Sequence, residues 1–275
     1  PQYLVAFWGL ETNYGSYLGR MPTLDSLATL ACDQRRSDFF SGEFIAALQL
    51  MQRESLRPSD MQGSWAGAVG HTQFMPSSYL RYAVDGDGDG RVDLWNSEYD
   101  ALASGANYLK TLGWQPGLRW GREIRLPENF PFQLAGQRDQ RRPLKEWAEY
   151  GLRRSDGGAL PTADIDAAVL LPAGHRGPAF AIYDNFDVIM RWNRSELYAI
   201  AVGHLADRIA GAGMLHATPG AQPSLRKTDI ELAQRTLNAL GYDAGPVDGV
   251  LGSATRGALR EFQLSNDMIA DGFPN

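Results

Sequence analysis

Residues 63–79 read Gly63-Ser64-Trp65-Ala66-Gly67-Ala68-Val69-Gly70-His71-Thr72-Gln73-Phe74-Met75-Pro76-Ser77-Ser78-Tyr79. Small residues at 63, 66, 67, 68 and 70 let a backbone run close to something large. A polar amide (Gln73), a soft apolar side chain (Met75) and a Pro-Ser-Ser helix start follow. A carbohydrate cleft needs such parts: backbone groups open to hydroxyls, one amide and an apolar floor for sugar faces. A tight helix–helix contact through glycines needs them equally, and composition leaves both readings open.

Upstream stands Trp8-Gly9-Leu10-Glu11-Thr12-Asn13-Tyr14-Gly15. Together with residues 63–79 it resembles the lytic murein transglycosylase B family, bacterial enzymes that cleave the glycan of peptidoglycan. The similarity runs from about Tyr3 to about Ala210. It implies an α+β, mainly α fold: a lysozyme-like helical catalytic domain with a small β-containing insertion.

Composition sets the outer bounds. The chain has 275 residues, 44 % hydrophobic and 21 % charged, as in a folded protein with room for one large and one small domain. A formal net charge of −6, with no Lys/Arg run, argues against nucleic acid as a partner. Peptidoglycan is itself anionic through its stem peptides, so attraction must come from a few placed arginines, and Arg35-Arg36 is one such pair. Solvated surface is the plainer reading of that pair. The single cysteine, Cys32, forms no internal disulfide and reads as a half-buried small residue. No run approaches a membrane span. With no initial Met and no signal peptide, the sequence reads as part of a longer exported precursor, hence periplasmic, with soluble and lipid-anchored forms both open.

Periodicity divides the chain. From Tyr3 to Leu112 apolar residues recur at helical spacing, as in Phe44, Ala47, Leu48, Met51 and in Leu102, Ala106, Leu109. Ser97, with Asp100 three residues on, marks a helix start. Between 113 and 193, Pro and Gly punctuate strand-like runs at Glu123–Leu126, Ala168–Leu171 and Ala179–Tyr183, interrupted by one helix near Pro143–Arg153. Ser195–Ile209 returns to helix. The catalytic domain is thus expected over 1–212, its β-containing part over 113–193, with the cleft between body and insertion. Residues 213–224 read as a linker. In 225–275, Thr228 and Glu231 form a capping box before an Ile230, Ala233, Leu237, Leu240 stripe, and Ala258, Leu259 and Phe262 share a second helix face. LAQRTLNALGY, VDG and TRGALREFQ resemble the small three-helix peptidoglycan-binding module, without its last helix.

Two acids compete for chemistry. Glu11 lies four residues after Phe7 and three after Trp8, on the apolar face of a helix, where desolvation raises a carboxyl pKa toward that of a general acid. A helix-end carboxylate reaching solvent is the alternative. Glu54, in Arg53-Glu54-Ser55, resembles the glutamate-serine motif of soluble-type transglycosylases and goose-type lysozymes. The motif around Glu11 matches the B family directly, so Glu11 is taken as the catalytic acid and Glu54 as structural. No second carboxylate partners Glu11, whereas ordinary glycosidases need two. The resemblance implies an escape: the substrate's own 2-acetamido oxygen attacks the anomeric carbon, and Glu11 serves as acid and then base, closing a 1,6-anhydro ring. It further implies roles for Ser64 and Gln73 in orienting the N-acetyl group and hydroxyls. Tyr108, Asn193 and Tyr198 lie where the family lines its saccharide site. Trp192 stands where tyrosine is frequent, keeping the stacking surface but changing the hydrogen-bonding tip. A hydrolytic muramidase and a non-catalytic wall-binding protein are the alternatives. Glycan strands and stem peptides are the expected partners, with other wall enzymes as further ones.

Asp85-Gly86-Asp87-Gly88-Asp89-Gly90-Arg91 has the calcium-loop pattern: carboxylates at positions one, three and five, glycine at six, a carbonyl (Arg91) at seven. Position twelve is Asn96, so Asp100 is expected as the remaining ligand, with Glu98 in reserve. One structural Ca2+ and no organic cofactor are expected. The four histidines show no metal spacing.

Overall fold

In a computed structural model, which describes residues 1–219 and 224–274, the chain forms two compact units. The first comprises 1–115, 191–194 and 198–212, and the second 116–190, 195–197 and 213–275.

The first unit is helical. It holds α1 (Gln2–Thr12), α2 (Thr23–Ala31), α3 (Ser37–Glu54), α4 (Pro76–Tyr82), α5 (Glu98–Thr111), the end of α7 (Asp184–Trp192) and most of α8 (Glu196–Ile209). Its core gathers Leu27, Leu50, Met61, Val69, Phe74, Tyr79 and Leu94, with Tyr108 and Trp192 against it. Two short strands, β1 (Met21–Pro22) and β2 (Gln62–Gly63), pair antiparallel and interrupt the helical reading. Ser97 caps α5 as expected, its Oγ accepting the Asp100 N–H at 3.2 Å. Helix α4 starts at Pro76 as expected, but its cap comes from elsewhere. The buried Glu43 of α3 accepts the Ser77 N–H at 3.0 Å and the Ser77 hydroxyl at 2.6 Å. A carboxylate at a helix N-terminus satisfies both a free N–H and the helix dipole.

The second unit holds an antiparallel sheet, in order β4 (Arg142–Pro143), β6 (Asp166–Leu170), β7 (Ala179–Ile182), β3 (Gly121–Arg125) and β5 (Arg153–Arg154). The three strand-like runs of the sequence are its centre. Helix α6 (Leu144–Glu149) is shorter than the expected Pro143–Arg153, because Gly151 takes φ 88° and turns the chain into β5. Trp147 is buried here, its indole donating to the Ala167 carbonyl at 2.8 Å.

After residue 213 two helices lie among the described residues, α9 (Lys227–Ala239) and α10 (Ser253–Ser265). The Thr228 capping box does not form. Helix α9 starts two residues earlier, and Asp229 takes the Arg226 N–H at 2.9 Å, since Arg226 also reaches that carboxylate with its guanidinium. Leu237 of the stripe is buried while Leu240 is 58 % exposed. Of the expected linker, residues 220–223 lie outside the described residues; the segment before them is anchored within its unit. Glu123 of β3 accepts the N–H groups of His216 at 2.9 Å and Ala217 at 2.7 Å. Asp271 likewise accepts the His175 N–H at 2.8 Å. Within the expected linker, His216 and Ala217 thus make polar contacts inside the second unit.

Candidate active site

Helix α1 ends where its chemistry begins. Phe7 is 1 % exposed, and Glu11, one turn on, points from that face. Asn13, Tyr14 and Gly15 then take φ of 49°, 57° and 78°, three left-handed residues in a row. Such a run is costly outside glycine and must be held by its surroundings. The holding groups are visible. Thr12 Oγ1 accepts the Gly15 N–H at 3.1 Å and donates to the His71 carbonyl at 3.0 Å. Trp8 Nε1 donates to His71 Nδ1 at 3.0 Å, and a Cβ on Gly15 would collide with that imidazole. Burial lowers the His71 pKa, so His71 is neutral and accepts at Nδ1. These groups pin the end of α1 to the 63–79 stretch. No metal or nucleophile spacing in the sequence marks His71, Trp8 and Thr12 for this holding role.

Residues 64–75 are turns and bridges and form no helix, so the stretch is not a helix–helix contact. Ser64 Oγ accepts the Ala68 N–H at 3.0 Å, and Val69 and Phe74 exchange backbone hydrogen bonds at 2.8 and 3.0 Å. Gly70 takes φ 70° against the Leu94 carbonyl, which leaves no room for a side chain. Gln73, itself at φ 50°, donates from Nε2 to Gly70 O at 2.9 Å and Leu18 O at 3.1 Å. The amide oxygen keeps its acceptor capacity. Met75 is half-buried at the start of α4, and Trp65, unmarked by the sequence reading, is 71 % exposed beside Ser64.

Three of the expected residues meet directly. Trp192 Nε1 donates to Glu11 Oε1 at 3.1 Å, and the Tyr198 hydroxyl donates to the same oxygen. No described residue donates to Oε2. Burial raises the Glu11 pKa, and the hydrogen bonds from Tyr198 and Trp192 lower it in part. The Tyr198 hydroxyl is pushed up by burial and by the adjacent carboxylate, so it stays a donor. Trp192 stacks on Phe7 with centroids 4.3 Å apart and packs edgewise on Phe74 at 5.5 Å. Tyr108, 5.2 Å from Trp192, completes the cluster. The indole face is thus largely occupied by protein, and its N–H serves the acid. Asn193 follows, exposed.

The other candidates lie apart. Glu54 ends α3 and pairs with Arg53 at 2.6 Å. Arg35 is bound to Asp33 at 2.5 Å, holding that acid down at about 2, and the Arg36 guanidinium sits 4.3 Å from the Phe39 ring centre. Neither arginine contacts Glu11.

In the acidic loop, oxygens of Asp85, Asp87 and Asp100 lie within 4.8 Å of one another. Asp89 does not join them; it accepts the Arg91 N–H at 2.8 Å. Glu98 is not among them either. Asp100, 1 % exposed, accepts the Gly86 and Asp93 N–H groups, both at 2.7 Å. Hydrogen bonds from the Gly90 and Gly88 N–H groups lower the Asp85 pKa. Three convergent carboxylates suit a hard cation with oxygen ligands. No helix among the described residues is long and apolar enough to cross a membrane.

Comparison with known proteins follows the same lines. The transglycosylase SLT domain model matches residues 1–207, and a peptidoglycan binding domain model matches residues 226–275. The membrane-bound lytic murein transglycosylase B of Escherichia coli K12 is 36 % identical over 218 residues, 76 % of this chain and 57 % of that protein. The chain thus spans little more than half the length of that relative. The crystal structure of SltB3 from Pseudomonas aeruginosa, in complex with NAG-anhNAM-pentapeptide, is 46 % identical with a TM-score of 0.91, covering 100 % of this chain and 74 % of that one. The Escherichia coli lytic transglycosylase Slt35, in complex with calcium, is 35 % identical with a TM-score of 0.64, covering 76 % of this chain and 66 % of that one. With its helical unit, its acid-bearing α1 and its C-terminal helices, the chain belongs to the transglycosylase SLT domain family and carries a peptidoglycan-binding domain after it.

Proposed function

We propose that the chain is a peptidoglycan lytic transglycosylase, cleaving the MurNAc–GlcNAc bond to leave 1,6-anhydroMurNAc ends. The observation that carries this reading is Glu11: a carboxyl raised by burial, held at Oε1 by Trp192 and Tyr198, and left at Oε2 to carry a proton. Oε2 donates to the glycosidic oxygen as the bond breaks. With no second carboxylate against Glu11 among the described residues, the N-acetyl oxygen of the substrate stabilises the anomeric carbon. Glu11, now ionised and still hydrogen-bonded, accepts the proton of the C6 hydroxyl as the anhydro ring closes. Ser64, Gln73, Met75, Tyr108, Asn193 and the face of Tyr198 serve the saccharide. The relative bound to NAG-anhNAM-pentapeptide supports this substrate class.

Asp85, Asp87 and Asp100, with Asp89 and the Arg91 carbonyl closing around, would hold one calcium ion. The ion would neutralise the carboxylates and fix the loop before α5. The site of action proposed is the periplasm. Mass spectrometry of products from purified sacculi tests the reaction, because an anhydro end and a reducing end differ by one water. Reducing ends would make the chain a muramidase, and no product at all would make it a wall-binding protein.

A further inference from the structure

Two arginines of α10, outside every site described so far, lack the partners their burial demands. Arg256 and Arg260 stand one turn apart. Arg260 is 8 % exposed, and its Nε has no hydrogen-bond partner among the described residues. Among the described residues neither arginine has an ion pair; Arg256 lies 5.6 Å from the Phe273 ring centre. Burial lowers the pKa of both, and the charge of Arg256 lowers that of Arg260 further. The acids around them are engaged elsewhere. Asp271 gives Oδ2 to the backbone and imidazole of His175, at 2.8 and 2.6 Å, and Oδ1 to the Phe273 N–H at 2.9 Å. Glu196 pairs with Arg138 at 3.1 Å. Glu261 is exposed.

Like charges one helical turn apart repel, and a buried cation without a pair is costly. Backbone packs closely against Arg260. Gly136, at φ 75°, and Gly272, at φ 70°, both lie against the Arg260 guanidinium, where a Cβ would strike it. A guanidinium's planar fork matches a carboxylate in two-point contact.

We propose that Arg256 and Arg260 form a carboxylate-binding site for the peptide stems of the wall polymer. The proposal rests on peptidoglycan being the substrate, because its stems supply the carboxylate. In this reading one carboxylate bridges both guanidinium groups, so that peptide-bearing strands are held by the second unit.

The test is calorimetric binding to the non-cleaving Glu11→Gln chain, with NAG-NAM-pentapeptide and with NAG-NAM lacking the peptide. The peptide-bearing probe is expected to bind about tenfold tighter or more. On the same background, Arg260→Met should remove that difference and leave NAG-NAM binding unchanged. Arg256→Met does the same from the less buried position and serves if Arg260→Met fails to fold. Equal affinity of the unsubstituted arginine pair for both probes overturns the site, with no variant needed. So does an arginine variant that melts cooperatively and keeps the full difference. Sacculus cleavage by the chain with Glu11 intact reads the enzymatic function separately: cleavage with equal affinities overturns this site alone.

Discussion

Glu11 and the Asp85–Asp100 loop are both carboxylate centres of the first unit, yet their surroundings push them in opposite directions. Glu11 sits behind Phe7 and Trp192, where burial outweighs two side-chain hydrogen bonds and raises its pKa. Asp85 is exposed and takes backbone N–H groups from Gly88 and Gly90, which lower its pKa. The residue class is the same; the donor and the solvent access differ. The first arrangement stores a proton and the second stores negative charge. Carboxylates alone supply both kinds of centre, because burial and the available N–H donors decide which way the pKa moves.

The most direct way to break this contrast is Glu11→Gln. Glycan cleavage should fall by about a thousandfold or more, since the amide cannot donate the proton. Glu54→Gln, whose carboxylate is paired with Arg53, should keep near-normal turnover. A dead Glu54→Gln beside an active Glu11→Gln would move the acid to the end of α3.

Chelation tests the other half. If calcium saturates the loop at about a hundred times its dissociation constant, its removal costs about 2.7 kcal/mol of stability. The melting temperature should fall with chelator and recover with calcium, while Asp100→Asn should bind calcium more weakly. A melting curve indifferent to chelator and calcium removes the metal from the account.

Tyr198→Phe and Trp192→Phe sharpen the contrast more gently. Each removes a hydrogen bond that favours the ionised form of Glu11, so each should raise the pKa of Glu11 further. The alkaline limb of the activity profile should move to higher pH, more for Tyr198→Phe, because its contribution is the larger of the two. A loss of affinity with an unmoved limb would make both residues saccharide contacts only.

Stability provides the smallest effect. Because the folded Glu11 pKa lies above the reference value of 4.5, the folded chain binds more protons than the unfolded chain over that interval. Its contribution is fullest below the unfolded pKa and is lost as pH rises through the folded one. At neutral pH the ionised carboxylate therefore costs stability, and Glu11→Gln should melt higher than the parent, with the gap closing on acidification. Equal melting at all pH values would mean that Glu11 is not desolvated.

The elements legible in the sequence were those with local signals. Ser97 capped α5, Pro76 opened α4, Gly-Asp alternation marked the acidic loop where three carboxylates converge, and the central strands fell where apolar runs stood between Pro and Gly. The readings that failed were local rules overridden by a neighbour. Thr228 lost its cap to the Arg226–Asp229 pair, and α6 stopped at Gly151. Glu43, two turns into α3, carried no hint that it would cap α4, because its partner Ser77 lies 34 residues on.

By itself the sequence determined which residue types were available: one glutamate on an apolar helix face, an acidic loop with glycine at its sixth position, and a run of small residues able to turn tightly. Spacing along a helix or loop is a covalent property and survives without a fold. Tertiary structure alone decided what those groups became. It brought Trp192 and Tyr198, 181 and 187 residues distant in the chain, onto one oxygen of Glu11, and it set His71 beneath the left-handed end of α1. A pKa depends on the solvent removed and the donors supplied, and both come from residues that only packing makes neighbours.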